Sequence, residues 1–353
     1  MSVFSCETAV RIALLVLPNF NALAATALID PLRAANYLRG PEVEPASLYS
    51  WSSLTLGEGG GAQTVAASNG FSVVATPIAE AGETAFDAVF VCASWAPERY
   101  RDPTLYAWLR RQAGLGAALG GIDTGAFVLG YAGLLDGYAA TVHYEHLEAF
   151  EELFPKVKVS NALYVVDRNR LTGCGGVASG DLALSLVRQR FGASLANAVS
   201  RYIFHDRLRP AGEAQVPSLQ EPLGYSLPER LRRALSLMEA HLEEPLPIGE
   251  VAETAGLSQR QLLRLFRDYT GVSPLRYYLD RRLDRARGMV TQTDLSVLEI
   301  ALACGFSNPE YMTRCYRQRF SLTPSDDRVL GRVPYHFRSF PTYAWRRPAG
   351  KKP

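Results

Sequence analysis

Ile248-Gly249-Glu250-Val251-Ala252-Glu253-Thr254-Ala255-Gly256-Leu257-Ser258 returns 49 residues later as Val297-Leu298-Glu299-Ile300-Ala301-Leu302-Ala303-Cys304-Gly305-Phe306-Ser307. The apolar, small and glycine positions coincide, so one supersecondary unit has been used twice. Past the serines one residue is added and the offset becomes 50: Leu262 aligns with Met312, Arg264 with Arg314, Phe266 with Tyr316, Arg267 with Arg317 and Pro274 with Pro324. The stretch from Ile248 to Arg328 therefore reads as an all-α domain with an internal repeat.

Each unit reads as helix, tight turn, helix. Val251, Ala252 and Ala255 share one helical face, and Gly256 supplies the positive φ that ends a helix without a Cβ clash. Ser258 is placed to cap the next helix, whose apolar face continues through Leu262, Leu265, Phe266 and Tyr269. The opposite face carries Gln259, Arg260, Gln261, Arg264 and Arg267, long enough to reach base edges or phosphates from a helix lying in a major groove. Glu310, Thr313, Arg314 and Arg317 hold the equivalent face of the second copy. Between the copies, Pro274 to Val290 reads as one helix with Leu275, Tyr278, Leu279, Leu283 and Ala286 facing inward. It would span roughly 25 Å at about 1.5 Å per residue. Two recognition helices held by it would suit successive major grooves, about 34 Å apart along one side of a duplex. A single helix pair with a glycine corner also occurs in ordinary bundles; the second copy favours DNA.

The set Ser258, Arg260, Leu262, Arg264, Phe266, Gly271, Ser273-Pro274, Arg282-Leu283, Ala286-Arg287, Ile300-Ala301, Cys304-Gly305-Phe306, Arg314, Tyr316 and Pro324 resembles the AraC/XylS family of bacterial transcription regulators. The resemblance covers about a hundred residues and implies a double helix-turn-helix DNA reader. Two positions depart from the family pattern. Ser321 stands where glycine is usual, and Pro309 sits in the first turn of the second recognition helix, where its missing N–H has no intrahelical partner to lose.

The chain's 353 residues and 48% apolar composition suit two or three folded domains and exclude disorder. Its net charge of +2 hides an asymmetry. From Tyr225 to Pro353 there are 21 Lys and Arg against 14 Asp and Glu, net +7, which leaves 16 against 21, net −5, for residues 1–224. The basic half is the half with the repeat, as expected of a polyanion-binding module joined to a non-binding one. Cys6, Cys92, Cys174, Cys304 and Cys315 are odd in number and lack CxxC spacing, so they read as reduced thiols rather than a disulfide framework or zinc site. Ile12 to Leu17 is too short and wrongly flanked for a signal peptide, and no run reaches membrane-spanning length. A cytoplasmic protein is expected.

In the amino-terminal half, Val10 to Leu17 is a continuous apolar run ended by Pro18-Asn19, as suits a strand buried on both faces. Ala22 to Leu38 reads as a helix with Leu23, Ala27, Leu28, Leu32 and Ala35 inward. Strands are expected at Tyr49 to Thr55, Phe71 to Val74, Ala88 to Cys92, Ala117 to Ile122, Ala140 to Val142 and Leu163 to Asp167, and helices at Tyr106 to Ala113 and Gly180 to Phe191. Such alternation predicts an α/β domain with a mostly parallel sheet, a flavodoxin-like sandwich. The divisions expected are 8–205 for this domain, 206–227 for a proline-bearing linker, 228–330 for the double helix-turn-helix domain and 331–353 for a basic tail. The tail, with five Lys or Arg after Arg332, is expected to add non-specific phosphate contacts.

The chemistry concentrates at Gly120-Gly121-Ile122-Asp123-Thr124-Gly125-Ala126-Phe127, a sharp turn between a buried strand and the helix Ala126 to Ala132. It has the form of a nucleophile elbow. The turn would place Asp123 as an exposed carboxylate at the carboxyl end of the sheet, where open α/β domains bind ligands. With Asp30-Pro31-Leu32-Arg33, Ser68-Asn69-Gly70, Leu134-Leu135-Asp136-Gly137 and Thr141-Val142-His143, this half resembles the PfpI-type, class I glutamine-amidotransferase-like domain. Catalytic members carry cysteine at the elbow. Here Asp123 replaces it, a far weaker nucleophile, so the expectation is a ligand-sensing domain and not an enzyme. A hydrolase or amidase using Asp123, fused to a DNA module, is the alternative. Asp123 would either pair with a positive charge on the ligand or cap the helix beside it.

Thr124, Trp95, His143 and Glu145 complete the expected ligand-binding set. Trp95 follows a strand on the same edge, where an aromatic face beside a carboxylate would suit a quaternary ammonium, or it serves packing. His143 and His146 lack a third ligand nearby in sequence, so neither metal nor cofactor is expected. What the two resemblances imply together is an activator answering a small amine-containing metabolite of the amino acid, betaine or carnitine class. It would bind double-stranded DNA as a homodimer, with RNA polymerase as a candidate partner and no membrane association.

Overall fold

The computed structural model describes residues 3–4, 8–39, 48–57, 60–94, 100–215 and 227–331. Trp95, most of the linker and the tail beyond Gly331 lie outside them. The chain divides into two compact units that meet between Gln215 and Val216.

The first unit is built on a sheet of eight strands in the order β3-β4-β2-β1-β5-β6-β10-β9. In chain order these are β1 (Val10–Val16), β2 (Tyr49–Thr55), β3 (Gln63–Ala66), β4 (Ser72–Pro77), β5 (Ala88–Ala93), β6 (Ala118–Asp123), β9 (Tyr164–Asp167) and β10 (Arg170–Gly173). The two-residue strands β7 (Ala139–Ala140) and β8 (Lys158–Val159) pair separately. The continuous apolar reading of Val10 to Leu17 follows from two covered faces: Ile12, Leu14 and Val16 enter one core, and Ala13, Leu15 and Leu17 enter the other. Helices α1 (Ala22–Leu38) and α5 (Ala178–Tyr202) cover the first face; α2 (Pro103–Gly114), α3 (Gly125–Tyr131) and α4 (Leu147–Leu153) cover the second.

The sheet is parallel except at its margins, where β3 runs antiparallel to β4 and β9 antiparallel to β10. Sequence alone does not mark β3, β8, β10 or α4, because two- to four-residue strands and a helix of two turns are too short for a periodic signal. Leu23, expected inward, is 54% exposed on α1, whose buried face is instead Ala24, Ala25, Leu28, Leu32, Ala34 and Ala35. Residues 206–215, placed in the linker on composition, pack on this unit: Gln215 N–H donates to Asn161 O and Glu213 O accepts from Leu163 N–H.

The described residues of the second unit contain helices alone: α6 (Glu229–Ala240), α7 (Ile248–Thr254), α8 (Gln259–Thr270), α9 (Pro274–Gln292), α10 (Val297–Ala303), α11 (Pro309–Phe320) and α12 (Pro324–Gly331). It contains two cores. Val251, Ala252, Leu262 and Phe266 pack with α6 and with Tyr277 and Tyr278 of α9. Ile300, Ala301, Met312 and Tyr316 pack with Leu283, Ala286, Met289 and Val290. One helix thus supplies a wall to each repeat. Leu275, expected inward, is 68% exposed at its first turn; Tyr277 takes that place in the core.

Candidate ligand pocket and nucleic-acid interface

Strand β6 delivers Asp123 to its carboxyl end with φ +61, a positive value that a side-chain-bearing residue adopts only when its surroundings impose it. The surroundings are close-packed. A Cβ on Gly121 would lie 2.5 Å from Ala126 N, and one on Gly125 would strike the Val91 carbonyl, so the turn tolerates only glycine there. Gly175, at φ +92, brings the loop after β10 against the carboxylate: a Cβ there would lie 2.9 Å from Asp123 Cβ.

Asp123 is consequently buried, 4% exposed, where the sequence reading made it an exposed carboxylate. Nor does it cap α3. The capping position is Thr124, whose side chain makes no capping bond. Asp123 Oδ2 accepts from Asn21 Nδ2 at 2.9 Å, while Asn21 Oδ1 accepts from Ala24 N–H and caps α1. Both ends of the Asn21 amide are engaged, which fixes its donor toward the carboxylate. Burial pushes the Asp123 carboxyl up to about 6; His143 and the Asn21 hydrogen bond offset part of that rise, and Glu145 adds to it. Burial raises Cys92 and Cys174 on either side, the latter to about 12, with Asp123 adding repulsion, so both thiols stay protonated.

The structure therefore gathers Asp123, His143 and Glu145, which sequence reading proposed, and adds Asn21 and Gly175, which it missed. Asn21 lies 102 residues from its partner. It was reachable by one rule: ligands sit where strand order reverses, here between β1 and β5, and Asn21 is the residue that opens α1 after β1. Thr124 is placed differently from expectation. It is fully buried, and its hydroxyl donates to the Ser94 carbonyl, anchoring the loop after β5 rather than facing a ligand. His143 and Glu145 sit on the turn leading into α4, with Nδ1 of His143 accepting from Glu145 N–H at 3.4 Å. His146 is buried edge-on against Phe127. Glu145 is the third group absent from the two-histidine spacing: one ligand atom from each of His143, Glu145 and His146 falls within 4.8 Å of the others.

In the helical unit, Ser258 and Gln261 form a reciprocal capping box at the start of α8, and Gly271 ends it at φ +75. Gln261, read from sequence as a DNA contact, closes that box: its Oε1 accepts from Ser258 N–H at 2.9 Å, as the Ser-x-x-Gln spacing allows. Gln259, Arg260, Arg264 and Arg267 are exposed on one side. At α11, Pro309 occupies the first turn and Asn308 caps it, while Ser321 takes the left-handed terminal position at φ +61 that glycine fills in the first copy. Glu310, Thr313, Arg314 and Arg317 line an open cleft of about 780 Å³ along that helix.

The arginines divide by environment. Those of the scaffold are paired: Arg281 with Glu239 at 2.6 Å, Arg287 with Asp327 at 2.7 Å, and Arg319 with Asp284 at 2.7 Å and Asp280 at 3.0 Å. Arg282 donates to the carbonyls of Cys304 and Gly305 and so holds the second turn. Among the described residues, Arg260, Arg264, Arg267, Arg314 and Arg317 form no ion pair. These five lie on the two second helices of the repeat.

Residues 251–329 match a helix-turn-helix domain family, and residues 10–189 match the DJ-1/PfpI family. The HTH-type transcriptional regulator CdhR of Pseudomonas aeruginosa is 42% identical over 317 residues, 90% of this chain and 90% of that one. GbdR of the same species is 39% identical over 318 residues, 90% of this chain and 83% of that one. A crystal structure of an AraC family transcriptional regulator from Pseudomonas putida is 30% identical with a TM-score of 0.48, covering 55% of this chain and 99% of that one. No described helix is long and apolar enough to cross a membrane. With a repeated helix-turn-helix bearing its free arginines, an α/β unit with an aspartate at its elbow, and relatives matched along nine-tenths of its length, the chain belongs to the AraC-type DNA-binding transcription regulators that carry an amino-terminal DJ-1/PfpI domain.

Proposed function

We propose that the DJ-1/PfpI domain is a non-catalytic sensor whose pocket binds a small cationic amine, of the amino acid, betaine or carnitine class, and that binding changes how paired chains engage DNA. The observation that carries this reading is the Asp123 carboxylate: buried, hydrogen-bonded by a neutral amide, and without a Lys or Arg ion pair among the described residues. A buried carboxylate is unfavourable until a positive charge joins it. An ammonium group supplies that charge, and its association is coupled to the ionisation of Asp123. Chemistry at the elbow is disfavoured because a carboxylate at this position is a weak nucleophile and the adjacent thiols are held protonated. On the reader, Arg260 and Arg264 carry base contacts, and Arg267 and Arg317 hold phosphates. Two chains on paired half-sites multiply a modest affinity, so the working form is a homodimer that acts as an activator.

The test is thermal unfolding of the full-length protein with glycine betaine, L-carnitine or L-arginine, repeated on Asp123→Asn. A ligand at a hundred times its dissociation constant stabilises by about 2.7 kcal/mol. The expected result is stabilisation by at least one probe, lost in the variant. Equal stabilisation of both proteins would remove Asp123 from the site.

A further inference from the structure

We propose that the segment from His205 to Gln215 is a strap that reports the state of the Asp123 pocket to the reader. The proposal deepens the sensor reading and rests on it. These residues directly precede the linker. Their upper end is fixed by Asp181, fully buried in α5, which accepts from Arg209 N–H at 2.8 Å and from the Arg209 guanidinium at 2.6 and 2.9 Å, and contacts His205 Nε2 at 3.0 Å. That end is an anchor.

The lower end is held by the segment that leads into His143. Gln215 Nε2 donates to Thr141 Oγ1, Val142 O and Ala162 O at 2.7 to 3.0 Å, and the next residue after Val142 is His143, whose charge acts on Asp123. A second route starts at Gly175, packed against Asp123. Its neighbour Cys174 donates from N–H to Leu163 O at 2.9 Å, and Leu163 N–H donates to Glu213 O at 2.8 Å. A ligand that moves His143 therefore acts on Gln215 through one intervening residue, and one that moves the Gly175 loop acts on Glu213 through two. Gln215 is the last residue of the sensor unit, so any change in its docking is delivered to the chain that leads to the reader. The device has two arrangements, docked and released, and an effector acts by its unequal affinity for them.

The experiment uses the full-length protein, the same three probes, and hydrogen exchange across 205–215 with strand β4 as internal reference. A probe that stabilises the protein should change exchange of 205–215 by at least about fivefold, the low end of ordinary coupling between sites, and leave β4 unchanged. Gln215→Ala removes the side-chain donors but keeps the main-chain bond to Asn161. It should still be stabilised by the probe, at a half-stabilising concentration shifted by the lost coupling, while losing the probe's effect on affinity for a duplex selected by the protein from a random pool. Stabilisation without altered exchange at 205–215, or undiminished DNA response in Gln215→Ala, overturns the strap and leaves the pocket standing. If no probe stabilises the wild type, the effector reading fails instead. Gly175→Ala then supplies the perturbation, by pressing a methyl on Asp123, and unchanged exchange of 205–215 in that folded variant overturns the strap.

Discussion

A carboxylate and a hydroxyl show how much single residues decide. Asp123 titrates near 6 in the folded protein against an ordinary 3.8, so the native state binds its proton more tightly than the unfolded chain does. The resulting penalty is absent below about pH 3.8 and complete above about pH 6; stability from this group falls as pH rises through that window. Asp123→Asn should therefore stabilise the sensor unit at about pH 7.5 by about 1–3 kcal/mol and by little at about pH 4. Urea unfolding at both pH values checks it, and an equal gain at both would assign the effect elsewhere. Burial of this carboxylate thus costs stability, as the proposed cation site requires of it. Ser321 carries the opposite lesson. It holds a left-handed conformation that glycine adopts freely, so Ser321→Gly should stabilise the helical unit by about 1 kcal/mol, read as a raised unfolding midpoint.

At the scale of elements, helix α8 separates two jobs that the sequence shows as one row of polar residues. Ser258 and Gln261 cap the helix, and the exposed arginines are the ones proposed above to contact the duplex. Arg264→Ala should cost about 1–3 kcal/mol on the selected duplex, relax its sequence preference, and leave folding unchanged. Arg287→Ala should do the reverse. It strips a partner from Asp327, which is buried and also accepts from Tyr316, so stability should fall by about 3 kcal/mol with sequence preference intact. Matched filter-binding and chemical-unfolding measurements distinguish the two, and the same phenotype for both would end the division between free and paired arginines. The repeat was legible because its spacing is a property of sequence. The elbow was legible because glycines flanking one polar residue leave few backbone solutions. Asn21, Gly175 and the strap were not, because their roles arise from the sheet's strand order and from loops that approach only after folding.

At the scale of the molecule, charge and architecture divide along the same line. The acidic amino-terminal part contains the buried Asp123 and the basic part the repeated helix-turn-helix, and the division between the compact units falls between Gln215 and Val216. Each unit has its own cores, two flanking the sheet and two sharing α9, so each should unfold as its own cooperative transition. Calorimetry of the full-length protein should resolve two transitions with separate handles. Asp123→Asn should move only one of them, because its charge and contacts lie wholly in the sensor. The selected duplex should move the other, and that shift should shrink steeply with added salt because the free arginines release counterions from phosphate. Arg267→Ala and Arg317→Ala should each lower the slope of log affinity against log salt by about 1. A single transition displaced by both handles would mean that the units fold as one body. In that case pocket and reader would be coupled through shared stability and not through the short segment that joins them.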